Sequence, residues 1–213
     1  MFTGIVKGLG TVVSGHARPG LATFVVEMPE GYADGMRIGA SVAIDGICLT
    51  ATDIDRDKVS FDAMQETLEK TTVGSLVEGS RVNVERSYRI GDEVGGHIVS
   101  GHVTGTADLI SIETAENNHI VTFRVDPSWM KYLLPKGFVA LDGCSLTIVD
   151  VNRNDSTFTV WLIPETLRTT AFGFKKPGDR ANLEIDSKTQ TIVDTVEAYL
   201  SARPSFPTSV IRH

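Results

Sequence analysis

Cysteine is nearly absent from this sequence: Cys48 and Cys144 are the only two in 213 residues. That is too few for a disulfide framework or a thiolate metal site, and both read as reduced. Positive charge is also in deficit, with 20 Lys and Arg against 27 Asp and Glu and a net charge of −7. Without a Lys/Arg run there is no electrostatic footprint for nucleic acid. No apolar window reaches the roughly 18 residues of a membrane span, and no charged n-region with a long apolar stretch opens the chain. The expected location is the cytoplasm, with no membrane partner. A phosphate-cradling loop, a nicotinamide fingerprint and a nucleophile elbow are all missing. The glycine-rich stretch from Gly91 to Gly96 has neither the spacing nor the preceding strand that such loops need.

What is present is a repeat. Gly4, Val6 and Gly8 recur 97 positions later as Gly101, Val103 and Gly105. At the same offset Val42-Ala-Ile-Asp-Gly46 matches Val139-Ala-Leu-Asp-Gly143, and Leu49-Thr50 matches Leu146-Thr147. After two inserted residues the offset becomes 99, and Glu66-Thr-Leu68 falls on Glu165-Thr-Leu167. Thr71, Gly79, Arg81, Asn83 and Glu85 then return as Thr170, Gly178, Arg180, Asn182 and Glu184. Conserved order with one small shift marks duplication, since compositional bias scatters its matches.

Each copy is built of short segments rich in Val, Ile, Thr and Phe, punctuated by Gly, Pro, Asp and Asn, which is the pattern of an all-β domain. Strands are expected at 6–13, 22–28, 41–44, 47–54, 59–63 and 81–85, six per copy. Six short antiparallel strands hide their edges best by closing into a barrel, with a sandwich as second choice. The expected fold is therefore two tandem six-stranded antiparallel Greek-key-like β-barrels, at 1–96 (including a linker from 86) and 97–186. Asp45-Gly46 and Asp142-Gly143 read as tight hairpin turns. A short helix is expected from Glu66 to about Leu76. A long C-terminal helix is expected over 187–202, where Ile192, Val193, Val196, Tyr199 and Leu200 form one apolar stripe. That stripe must be buried on its own barrel or against another chain, and the pattern favours neither. Pro204 and Pro207 end the helix, and 203–213 reads as a flexible tail.

Along a strand, Cys48 and Thr50 share one face, as do Ser145 and Thr147, and Cys144 points the other way. Each copy thus presents a small polar pair at one place, although such residues also simply suit a strand beside a turn. His97 and His102, placed in a strand, fall on opposite faces with no carboxylate or thiolate cluster, which argues against metal. His102 replaces Ile5 of the first copy and is the side chain best suited to proton exchange near neutral pH. The segments 62–67 and 161–166 each set an apolar or aromatic surface before a Glu-Thr helix start, which suits a flat aromatic ligand; core packing and helix capping by Glu66 and Glu165 are the plainer explanation.

The motifs Met1-Phe-Thr-Gly-Ile-Val6, Ser41-Val-Ala-Ile-Asp-Gly-Ile-Cys-Leu-Thr50, Gly95-Gly-His-Ile-Val-Ser-Gly-His102, Asp142-Gly-Cys-Ser-Leu-Thr147 and Leu162-Ile-Pro-Glu-Thr-Leu167 together resemble the riboflavin synthases of the α-chain type. The likeness runs from residue 1 to about 200. It implies a cofactor-free transferase of riboflavin biosynthesis in which two molecules of 6,7-dimethyl-8-ribityllumazine dismutate by transfer of a four-carbon unit. It also implies a homotrimer held by the C-terminal helix, with the site formed between the N-barrel of one chain and the C-barrel of a neighbour. An association with lumazine synthase is left open.

Carried onto this sequence, the resemblance implies N-barrel contacts at Gly4, Ile5, Val6, Cys48, Leu49, Thr50, Asp62, Ala63, Met64, Gln65, Glu66 and Thr67, with Ser41 nearby. It implies C-barrel contacts at Gly101, His102, Val103, Lys136, Ser145, Leu146, Thr147, Trp161, Leu162, Ile163, Pro164, Glu165 and Thr166. Phe2 and Thr3 match essential amino-terminal residues, and Asp186 matches an acidic one whose counterpart in the first copy is Ser87. The working hypothesis is that His102 and Thr147 assist proton removal from the donor's 7-methyl group, while Cys48 or Ser41, or a water they hold, adds to the acceptor ring. The main rival is a non-catalytic lumazine- or flavin-binding antenna protein with the same double barrel. A flavin-binding reductase barrel lacks the length for its nicotinamide domain.

Overall fold

The computed structural model describes residues 1–115 and 118–202; the tail from 203, expected to be loose, lies outside the described residues. The first repeat supplies β1 (Gly8–Arg18), β2 (Leu21–Glu27), β3 (Ser41–Ile44), β4 (Ile47–Asp55), β5 (Lys58–Met64) and β6 (Arg81–Arg86). They close into an antiparallel barrel in the order β1-β2-β5-β4-β3-β6. The second supplies β7 (Gly105–Ala115), β8 (Asn118–Arg124), β9 (Phe138–Leu141), β10 (Cys144–Asn152), β11 (Thr157–Leu162) and β12 (Arg180–Ile185), closed in the same circular order.

Alternation explains why these segments pair as they do. Ala22, Phe24 and Val26 of β2 turn inward opposite Ala63, Phe61 and Val59 of β5, and all six are buried. In the second barrel Val121 and Phe123 of β8 meet Val160 and Phe158 of β11, with the two phenyl rings 5.8 Å apart. A one-residue slip would turn each set to solvent, so the register is strongly specified. Bulges at Val12/Ser14 and Leu109/Ser111 bend the long first strand of each barrel at the same place, as barrel closure requires. Both Asp-Gly turns have positive φ at both residues, 43° and 78° at Asp45-Gly46 and 44° and 79° at Asp142-Gly143, the hairpin geometry expected of them.

The barrels meet at these two turns. A Cβ on Gly46 would lie 2.5 Å from the Gly143 nitrogen, so only glycine permits the approach. Around it the Asn83 side chain donates to the Asp142 carbonyl and the Asn182 side chain donates to the Asp45 carbonyl, each at 2.9 Å. Asp45 and Asp142 are buried at the centre. Burial, reinforced by the facing Asp142 carboxylate, pushes Asp45 up to about 8. Lys175 reaches Asp142 at 2.8 Å.

Two expectations fail at the start of each repeat. β1 begins at Gly8 rather than Val6, and His97 and His102 are not on a strand: residues 97–104 form an irregular segment whose one bridge joins Val99 to Phe2. The side chains of Phe2, Val99, Ala43 and Ala140 make a small separate core between the barrels. Glu66 and Glu165 do not cap their helices, α1 (Gln65–Lys70) and α2 (Pro164–Thr169). Each instead pairs within its own helix, Glu66 with Lys70 at 2.7 Å and Glu165 with Arg168 at 2.6 Å. The expected single helix after Glu66 divides into α1 and a separate 3₁₀ turn, Thr72–Ser75.

The C-terminal helix α3 (Ser187–Ser201) is capped by Asp186, whose carboxylate accepts from the Thr189 amide at 3.0 Å and its hydroxyl at 2.7 Å. It touches its barrel through Lys131 and Tyr132, which reach Asp194 and Glu197. None of its residues is buried, and Ile192, Val196, Tyr199 and Leu200 are 51–64% exposed. The apolar stripe is thus not buried on its own barrel. Among the described residues no helix is long and apolar enough to cross a membrane.

Candidate active site

Two clefts sit at matching places on the two barrels, and each is walled by both repeats. The first, about 270 Å³, is lined by Cys48 of β4, Glu66, Thr67 and Lys70 of α1, and Gly101, His102 and Val103. The second, about 450 Å³, is lined by Ser145 of β10, Ile163, Glu165 and Thr166 at α2, and Gly4, Ile5 and Val6.

The segments ahead of β1 and β7 have therefore crossed. The Cys48 amide donates to the Gly101 carbonyl at 2.9 Å, and the Ser145 amide donates to the Gly4 carbonyl at 2.8 Å. Gly4, Ile5 and Val6, expected on the N-barrel cleft, line the C-barrel cleft. Gly101, His102 and Val103, expected on the C-barrel, line the N-barrel cleft. The physical reason is a pair of buried clamps. Glu85 of β6 accepts from the Thr3 amide and hydroxyl, both at 2.7 Å, and from the Gly4 amide at 3.1 Å. Glu184 of β12 does the same for Ser100 and Gly101, at 2.7, 2.7 and 2.8 Å. Each carboxylate holds its own repeat's leading segment in an extended crossing that delivers the next three residues to the other barrel. Burial pushes Glu85 above the usual carboxylate range, against the hydrogen bonds from Thr3 and Gly4.

Gly4 and Gly101 adopt φ of 73° and 81°, and a Cβ on either would come within 2.5 Å of the Cβ of Ser145 or Cys48. Glycine is required at both, for conformation and for space.

The remaining expected residues divide. Leu49, Ala63, Leu146 and Leu162 turn into the barrel cores, so only their main chain is available to a ligand. Ser41, paired with Thr50, and Thr147, paired with Phe138, share the outward faces of Cys48 and Ser145. Met64, Trp161 and Ile163 expose 50–69% of their surface at the ends of β5 and β11. Gln65 and Pro164 begin α1 and α2. Asp62 accepts from the Thr23 hydroxyl at 2.6 Å. Lys136 stands in a turn with φ of 67° and lines neither cleft. Phe2 is fully buried between the barrels and positions the segment rather than touching a cleft.

Sequence reasoning passed over His97 except as a metal ligand. Its Nδ1 lies 2.7 Å from the Ser145 hydroxyl, and its ring stacks on Phe138 with centroids 5.1 Å apart. Burial lowers its proton affinity below the ordinary histidine value, against the pull of nearby Asp186. A neutral imidazole on a serine hydroxyl is a proton relay in form. Gly96 makes the approach possible: a Cβ there would meet Ser145 Oγ at 2.8 Å. His97 thus stands behind Ser145 rather than lining the C-barrel cleft, whereas His102 and Cys48 both line the N-barrel cleft with Thr67. The two clefts are alike in outline and different in chemistry.

Comparison with known proteins bears on these clefts. The lumazine binding domain family matches residues 3–87 and again 100–186. The chain is 51% identical over 204 residues to riboflavin synthase of Escherichia coli K12, covering 95% of each. It is 42% identical to that of Chlamydia pneumoniae, covering 95% of this chain and 98% of the other. Among solved structures, LumP complexed with riboflavin superposes with a TM-score of 0.81 at 24% identity, over 88% of this chain and all of that one. LumP complexed with 6,7-dimethyl-8-ribityllumazine gives 0.79 at 23% over the same shares, a likeness of fold.

Proposed function

The chain belongs to the riboflavin synthase family, and on that footing we propose that it converts two molecules of 6,7-dimethyl-8-ribityllumazine into riboflavin and 5-amino-6-ribitylaminouracil. One lumazine gives up a four-carbon unit and the other receives it, so the atoms balance between the two substrates. The observation that carries the reading is the pair of matched clefts, one per barrel, each the place for one copy of the same heterocycle.

A bimolecular reaction of like molecules gains most from orientation, and well-aligned groups reach effective molarities on the order of 10⁵ M or more. The two clefts share no lining residue. Two bound lumazines meet when the N-barrel cleft of one chain faces the C-barrel cleft of another, and the exposed apolar stripe of α3 supports such an assembly, a homotrimer. In it His102 and Cys48 of one chain face Ser145, His97 and Thr147 of the next. Within this reading His97 takes a proton through the Ser145 hydroxyl on the C-barrel side. Cys48, with Ser41 on the same face, acts on the ring held at the N-barrel. His102 lines the N-barrel cleft and Thr147 shares the outward face of Ser145 on the C-barrel, so the two assist together only across chains. Asp186 caps α3 and its charge draws a proton toward His97. The enzyme works in the cytoplasm, and association with lumazine synthase is a separate proposal read by co-sedimentation.

The test is to incubate purified protein with dimethylribityllumazine alone. One riboflavin per two lumazines consumed, with an equal yield of the pyrimidine, is expected. Tight binding without product would favour an antenna protein instead.

A further inference from the structure

At one place the two repeats differ in the side chains that fill the space between α-helix and barrel. The Arg81 guanidinium, from the first repeat, lies 5.1 Å over the Phe174 ring of the second, and Ile112 and Leu167 each pack against the core of the second barrel. At the matching places of the first repeat stand Ser75 and Gly15. Arg180, the counterpart of Arg81, has no ring contact, hydrogen bond or ion pair of its guanidinium among the described residues. A cavity of about 760 Å³ opens there, lined by Gly15, Phe24, Leu68, Ser75 and Arg180 among others. It is larger than either cleft of the proposed site, and of its lining residues only Thr71 is also a wall of one of them.

We propose that this cavity is a second binding site for a planar heteroaromatic molecule, which supplies the ring that the first repeat lacks. Three observations point to that chemistry. The twin position holds an aromatic ring under an arginine, and stacking on a guanidinium is a specific preference of flat π-systems. The floor is apolar, with Phe24 and Leu68, while Ser14, His16 and Gln65 offer hydrogen bonds at the rim, the composition of a small-molecule pocket. Its volume falls within the roughly 300–1,000 Å³ of such pockets.

The site also touches the proposed chemistry. Helix α1 presents Gln65, Leu68 and Glu69 to the cavity and Glu66, Thr67 and Lys70 to the N-barrel cleft. A ring seated in the cavity braces the helix that walls the substrate cleft, so occupancy is felt in KM.

The experiment uses riboflavin as probe, by calorimetry on the intact protein and on two variants that restore the second repeat's side chains, Gly15→Ile and Ser75→Phe. A side chain at position 15 is tolerated, since a Cβ there would sit 3.4 Å from Phe24, in ordinary contact. The parent is expected to show one more class of sites per chain than either variant, with kcat for lumazine at saturating substrate unchanged. Arg180→Ala, which leaves the cavity open, is expected to weaken that class about tenfold. Identical isotherms for parent and folded variants would overturn the proposal. Absence of riboflavin formation would instead strike the enzymatic reading, and leaves the comparison of isotherms intact.

Discussion

The amide of Cys48 donates to the carbonyl of Gly101 at 2.9 Å, so a residue of the second repeat is fixed to the first barrel beside the Cys48 side chain. Substitutions in either leading segment therefore act on the opposite barrel. Gly101→Ala places a methyl group 2.5 Å from the Cys48 Cβ at a φ of 81°. Lumazine affinity is expected to fall at the N-barrel cleft alone, with turnover down on the order of 10²-fold. Gly4→Ala shifts the loss to the C-barrel cleft. Fluorescence titration with lumazine checks both; equal damage to both clefts by either change would contradict the crossed arrangement.

Glu184→Gln keeps the shape of the clamp and removes its charge. Three donors on Ser100 and Gly101 then share one weaker acceptor set, and hydrogen bonds to charged groups are worth roughly 1.5–3 kcal/mol each. A loss of about 2 kcal/mol is expected in urea unfolding. Release of His102 from the N-barrel cleft should appear as a changed histidine resonance, with Glu85→Gln leaving that resonance in place.

The interface between the barrels titrates. Asp45 rests near 3.8 when unfolded and about 8 when folded, because burial and the facing Asp142 carboxylate oppose its charge. The folded state holds the extra proton between those values, so its contribution to stability is present at low pH and lost as pH rises through 8. Relative to an Asp45→Asn variant, which keeps the acceptor for the Asn83 amide, the parent should lose up to about 1.4 kcal/mol per pH unit across that window. Parallel stability curves from pH 5 to 9 would contradict it.

Val196→Glu and Leu200→Glu place charges on the exposed stripe of α3. Sedimentation is expected to show a single chain rather than an assembly. Riboflavin formation should fall to background while each cleft still binds lumazine, since neither substitution touches a lining residue.

The barrels were legible because the information is local: period-two burial in β2 and β5, Asp-Gly turns with positive φ, and one order of motifs twice over. The crossing of the leading segments was not. It depends on contacts between residues far apart in the chain, Gly4 with Ser145 and Glu85 with Thr3, and the repeat aligns equally well whichever barrel a segment serves. His97 stayed hidden because it lies ahead of the aligned stretch that starts at Thr3 and Ser100, so the first repeat offers no counterpart to weigh it against. The inequivalence of Cys48 and Ser145 was visible; the ring that makes Ser145 a relay was not.

The central claim is that the reacting pair of clefts comes from two chains, and complementation between two inactive variants tests it most directly. Thr67→Trp fills the N-barrel cleft and Thr166→Trp fills the C-barrel cleft, each at a half-buried lining position. Each variant alone should form no riboflavin. Unfolded together in equal amounts and refolded, they should recover about a quarter of the parent's activity, because in a cyclic assembly one neighbouring pair in four joins two intact clefts. Activity that stays at background, from a mixture that assembles normally, would place both lumazines on one chain and contradict the account.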